Sequence, residues 1–73
     1  MVEEFISEFY SVDRKRKAHV TKDKYHYAVH MYVEHSGLMK LYNTELISNH
    51  TLQYAEDLAE NFVLGVGPFK DLV

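Results

Sequence analysis

From Tyr25 to Glu34 the chain alternates residue by residue, and this run constrains the fold more than any other feature. Tyr25, Tyr27, Val29, Met31 and Val33 fall on one side, with His26, Ala28, His30, Tyr32 and Glu34 on the other. Successive strand residues point to opposite faces, so the pattern predicts a strand with two distinct surfaces. His35-Ser36-Gly37 supplies a turn, Gly37 taking positive φ in a three-residue hairpin loop. A further strand is predicted over about 38–47, where Met39, Leu41 and Ile47 share a face.

Upstream, Ala18 and Val20 alternate with Lys17, His19 and Thr21, which predicts a polar edge strand within 12–21. Lysine on an edge discourages unwanted pairing. Thr21-Lys22-Asp23-Lys24 then forms the turn into the next strand. At the N-terminus Val2, Phe5, Ile6, Phe9 and Tyr10 have the i, i+3, i+4, i+7, i+8 spacing of an amphipathic helix over 2–10. Phe, Ile, Tyr and Val favour sheets as well, so a fourth strand is the alternative.

The strongest helix signal lies over about 50–64. Leu52, Ala55, Leu58, Ala59, Phe62 and Val63 form an apolar stripe, with Gln53, Glu56, Asp57 and Glu60 outside. Ser48-Asn49-His50-Thr51 offers N-caps, and Gly65, Gly67 and Pro68 stop the helix. The expected fold is a single α+β domain: a three-stranded antiparallel meander, the C-terminal helix packed on one face, and a short N-terminal helix. Residues 69–73 are expected to pack loosely or to swap onto a neighbour.

Composition narrows the class. Seventy-three residues suffice for one domain, and the chain has 47% hydrophobic and 26% charged residues, the balance of a folded protein. A domain this small buries only roughly 60% of its unfolded surface, so its core is thin and association between chains is one of the few available reinforcements. There is no cysteine, which excludes disulfides, thiolate zinc sites and cysteine nucleophiles, and favours a reducing interior. Met1-Val2-Glu3-Glu4 lacks the basic and apolar regions of a signal peptide, and no apolar stretch approaches ~18 residues. The expected location is the cytoplasm, of a cell or of an infected host.

The proposed turns sort the strand residues onto two faces. One collects Ala18, Val20, Tyr25, Tyr27, Val29, Met31, Val33, Met39, Leu41 and Ile47, and seats the helices. The other collects His19, His26, Ala28, His30, Tyr32, Leu38, Lys40, Tyr42 and Leu46. Two helices do not readily cover both sides of so short a chain, so the second face is open or covered by another molecule. Tyrosine is enriched at protein interfaces. The expected partner contacts are therefore His26, His30, Tyr32 and Tyr42, with Glu56, Asp57 and Glu60 supplying steering charge. The partner is another protein or a second copy in a homodimer. The competing reading is that these side chains merely fill the back of a small sheet, polar tips in water.

Three other chemistries compete with this reading. His26 and His30, four apart on a strand, lie ~13 Å from each other and cannot share an ion. His19 and His26 become cross-strand neighbours in the proposed hairpin, a weak metal-site candidate whose plainer reading is two solvated histidines. Arg14-Lys15-Arg16-Lys17 beside an aromatic sheet face gives the alternative function, nucleic-acid binding. The net charge of −3 argues against it. No phosphate loop or nucleophile–base pair is apparent, no cofactor is implied, and a thin domain has little room for a pocket of ~300 Å³ or more. The expected activity is thus binding without catalysis. By an analogy of size and style alone, such a chain compares with small phage or mobile-element inhibitors that block a partner's surface sterically.

Overall fold

The computed structural model describes residues 4–67. In chain order they form β1 (Glu4–Tyr10), β2 (Arg16–Lys22), β3 (Tyr27–His35), β4 (Leu38–Ile47) and α1 (Leu52–Leu64). The strands make one antiparallel sheet in the order β1-β2-β3-β4, with α1 packed over β1, β2 and β3. The fold is α+β, with a four-stranded meander and one helix among the described residues. The expected swap of residues 69–73 lies outside them.

The N-terminal segment is the fourth strand rather than the helix expected over 2–10, and a bulge explains the misleading spacing. Phe5 pairs with Thr21 and Ser7 with Val20, leaving Ile6 as an extra residue. Pure alternation would send Ile6 and Phe9 to opposite faces, whereas the bulge brings both against the core. A helix-like apolar spacing is thereby satisfied in a strand. Its presence also makes β2 an internal strand, correcting the expectation that residues 12–21 carry an edge.

The β2–β3 turn falls on Asp23–His26, later than expected. The Asp23 carboxylate accepts from the backbone N–H groups of Tyr25 (2.8 Å) and His26 (2.9 Å), and the Asp23 N–H donates to the His26 carbonyl at 3.0 Å. Lys22 consequently pairs with Tyr27, and His19 faces His30 instead of His26. Tyr25 and His26 leave the strand for the loop. The register differs from the expected one by four residues, an even number, so the remaining β2 and β3 residues keep their predicted faces. The β3–β4 turn needs only Ser36 and Gly37, both at positive φ (56° and 81°), as a two-residue primed turn requires.

β4 carries a second bulge. Met31 pairs with Asn43 and Tyr32 with Leu41, leaving Tyr42 extra. Beyond it the faces exchange relative to simple alternation. Met39 and Leu41 move to the open side, while Leu38, Lys40 and Tyr42 move to the helix side.

The core lies between α1 and the covered face. Ala18, Val20, Val29 and Met31 meet Ala55, Ala59, Phe62 and Val63, all buried. Thr51 caps α1, its hydroxyl accepting from the Tyr54 N–H at 3.3 Å. Gly65, at φ 71°, ends it, its N–H reaching the carbonyls of Asn61 and Phe62. The last turn contains no basic residue, and Arg16 of β2 supplies that charge: its guanidinium donates to the Phe62 carbonyl at 2.9 Å. No helix among the described residues is long and apolar enough to cross a membrane.

Candidate functional site: the uncovered sheet face

No described element packs on the second face of the sheet, here called the uncovered face, and strand pairing arranges it in cross-strand rows. Phe5, Thr21, Ala28 and Leu46 form one; Glu8, His19, His30 and Thr44 the next; Tyr10, Lys17, Tyr32 and Leu41 a third. Small Thr21 and Ala28 are buried in the middle of the first row, whereas its outer members Phe5 and Leu46 are 58% and 63% exposed.

The rings on this face stack. His19 lies centrally, its ring centroid 5.7 Å from Phe5, 4.6 Å from His30 and 5.5 Å from Tyr32, with interplanar angles of 26–28°. His30 is held from both sides: Nε2 lies 3.0 Å from the Thr21 hydroxyl and Nδ1 3.5 Å from that of Thr44. Lys17 sits over the Tyr32 ring at 5.2 Å and pairs with Glu8 at 3.6 Å. The face is thus a preordered aromatic platform with an apolar perimeter and one ion pair.

Only part of the predicted contact set occupies this platform. His30 and Tyr32 lie on it. His26 lies in the β2–β3 turn, its Nε2 3.3 Å from Asp23. Tyr42 lies on the opposite side, stacked on Phe62 at 5.9 Å, because the bulge turns it over. Glu56, Asp57 and Glu60 belong to α1 and so to the covered side. Glu56 accepts from the Ser7 hydroxyl at 3.1 Å, and Asp57 accepts from Gln53 at 3.0 Å. The acids and the platform do not form one continuous surface. Sequence reasoning missed Phe5, Glu8, Met39 and Leu41, whose placement depends on the extra strand and the two bulges.

The basic run is divided by the same alternation. Arg14 occupies the β1–β2 turn at φ 63° over the Tyr10 ring, Arg16 caps α1, and Lys17 joins the open face. The proposed His19–His26 metal pair is not formed, and among the described residues no three His, Asp or Glu side chains gather as an ion would need. Near Arg16, an open depression of about 430 Å³ lies between the β1–β2 turn and the end of α1, larger than expected for so thin a domain. It lies away from the ring platform.

Two carboxyls are held below their ordinary range, and both organise turns. Asp13 accepts first from the Lys15 N–H (3.0 Å) and then from the Ser11 hydroxyl (2.7 Å). Asp23 is lowered by the N–H groups of Tyr25 and then His26. Comparison with protein-family models, curated proteins and solved structures finds no match to this chain.

Proposed function

We propose that this chain is a small protein-binding module that docks its uncovered sheet face onto a partner protein and blocks that partner's surface sterically. The observation that supports this reading is the stacked set Phe5, His19, His30 and Tyr32 bordered by exposed Leu41 and Leu46. Aromatic rings with polar tips give large contact area at low entropic cost, and ordering them beforehand lowers the cost of binding. Because the acids of α1 lie on the other side, they steer approach at most, and Tyr42 and His26 leave the contact set. The cysteine-free composition suits work in the cytoplasm of a cell or an infected host, where a phage or mobile-element modulator would act.

The test compares affinity capture from host lysate by the wild-type chain and two double variants. Tyr32→Ala with Leu46→Ser should lose a specifically retained protein, while Asp57→Lys with Glu60→Lys should keep it. A partner lost only with the helix variant would overturn the proposal.

Nucleic-acid binding is the second reading, favoured by one contact: Lys17 sits over Tyr32 beside stackable rings. Arg16 is committed to α1, so the basic run offers Arg14, Lys15 and Lys17. Affinity for a single-stranded oligonucleotide should then fall steeply with salt. No binding at low salt, or a flat dependence, removes this reading.

A further inference from the structure

The two edges of the sheet differ. β1 is short and bulged, with Glu4 and Glu8 along it, in keeping with the usual ways of blunting an edge. β4 has ten residues, and its last, Ile47, is the only one fully buried. Leu38, Leu41 and Leu46 are 64%, 58% and 63% exposed. β4 joins the covered core through buried Ile47 and the Phe62–Tyr42 stack, and the main packing of α1 lies over the other three strands. β4 too is bulged and carries Lys40 and Glu45. It is longer, however, its leucines are exposed and no described element pairs with its outer side, so it offers a template for another strand.

We propose that this edge pairs with β4 of a second copy, antiparallel about a two-fold axis between Tyr42 and Asn43, giving a continuous eight-stranded sheet. Charge complementarity selects the register. Lys40 and Glu45 lie five apart, and simple alternation would put them on opposite faces. The Tyr42 bulge brings both to the helix side, since Lys40 pairs with Val33 and Glu45 with Val29. In the proposed register Lys40 faces Glu45 of the second copy, and symmetry repeats the pair. Met39 meets Leu46 and Leu41 meets Thr44 on the open side, so every pair is matched by face.

The bulge also favours a second copy over an unrelated strand. A regular strand would have to pass Tyr42 unpaired, as β3 does. A second copy brings the same two residues, Tyr42 and Asn43, between the flanking segments, so neither chain has a surplus. This inference stands apart from the proposed docking function. Pairing at the edge draws the bordering Leu41 and Leu46 into cross-strand pairs but leaves the rings of Phe5, His19, His30 and Tyr32 open, and brings two such ring sets onto one sheet.

The experiment is light scattering after size exclusion, over a wide concentration range, on the wild-type chain, Lys40→Glu, Glu45→Lys and the double variant. Wild type should run at twice the protomer mass. Each single reversal replaces two attractive cross-strand pairs by repulsive ones and should weaken the dimer about tenfold or more. The double variant restores both pairs and should return to within about threefold of wild type. A monomeric wild type overturns the proposal, as do open-ended assemblies, single variants as dimeric as wild type, or a double variant no better than the singles. If a reversal unfolds the chain, Leu41→Cys with Thr44→Cys serves instead. Mild oxidation should then link two copies through facing cysteines, and failure to form the covalent dimer overturns the register.

Discussion

The two faces of this sheet are made by the same strands, residue beside residue, yet different physics orders them. On the covered face Val20, Val29 and Met31 are shut beneath Ala55, Ala59 and Phe62, so order there comes from exclusion of water and close packing. On the uncovered face His19, His30 and Tyr32 are ordered laterally, by ring stacking and threonine hydroxyls, with no second layer above them among the described residues. One face spends its surface on stability, and the other leaves ring and leucine surface exposed.

The largest expected effect tests the first half of that contrast. Phe62 is fully buried, and Phe62→Ala should cost about 3–5 kcal/mol, a large part of what a small domain has. Chemical denaturation measures it. A loss below about 1 kcal/mol would mean that the covered face does not hold the fold.

The end of α1 sharpens the comparison, because it ties the core to β2. Gly65 takes φ 71°, and a Cβ there would lie 3.2 Å from Nη1 of Arg16. Gly65→Ala should therefore cost about 1–2 kcal/mol from left-handed strain, plus any displacement of the guanidinium from the Phe62 carbonyl. In an Arg16→Ala background only the strain should remain. Equal costs in both backgrounds would dismiss Arg16 as a coupled partner.

How far these features are legible in the sequence follows from which of them are local. The β3 alternation, the β4 bounds and the helix with its Gly65 stop all rest on neighbouring residues and are readable in advance. The cap is narrowed only to Ser48-Asn49-His50-Thr51, of which Thr51 serves. Positions settled by pairing are not. Nothing near Ile6 or Tyr42 announces a bulge, yet each bulge reverses the faces of the residues beyond it, so simple alternation puts Tyr42 on the platform and Leu41 in the core, the reverse of their true places. The His19–His30 pair depends on a turn displaced by the backbone bonds of Asp23, although an even displacement preserved the faces. Arg16 reads as one of four basic residues because its carbonyl acceptor lies 46 positions away.

On the uncovered face the expected effects are smaller. Tyr32→Ala removes a half-buried ring that stacks on His19 and lies beneath the Lys17 ammonium, and should cost about 1 kcal/mol or less. A double-mutant cycle with His19→Ala should show a coupling of about 0.5–1 kcal/mol, because the rings lie 5.5 Å apart. A Tyr32→Ala loss as large as that of Phe62→Ala would erase the distinction between the faces. Zero coupling would leave the platform as adjacent rings without mutual order.

The smallest effect concerns the turns that decide which residues reach which face. The Asp13 and Asp23 carboxyls titrate below their usual range near ~3.9, owing chiefly to the backbone N–H groups of Lys15 and Tyr25. A depressed folded value contributes stability above the unfolded value, and that contribution is lost as pH falls through the lower, folded one. Asparagine at both positions keeps an oxygen that accepts the same N–H bonds but does not titrate. The Asp13→Asn, Asp23→Asn variant should thus be less stable than wild type at neutral pH, lose stability less steeply on acidification below about pH 4, and converge with wild type once the carboxyls are protonated. Denaturant midpoints measured from neutral to acid pH decide it. Parallel curves would show that the two carboxylates hold their turns through geometry alone, and that the acid sensitivity of the fold lies elsewhere.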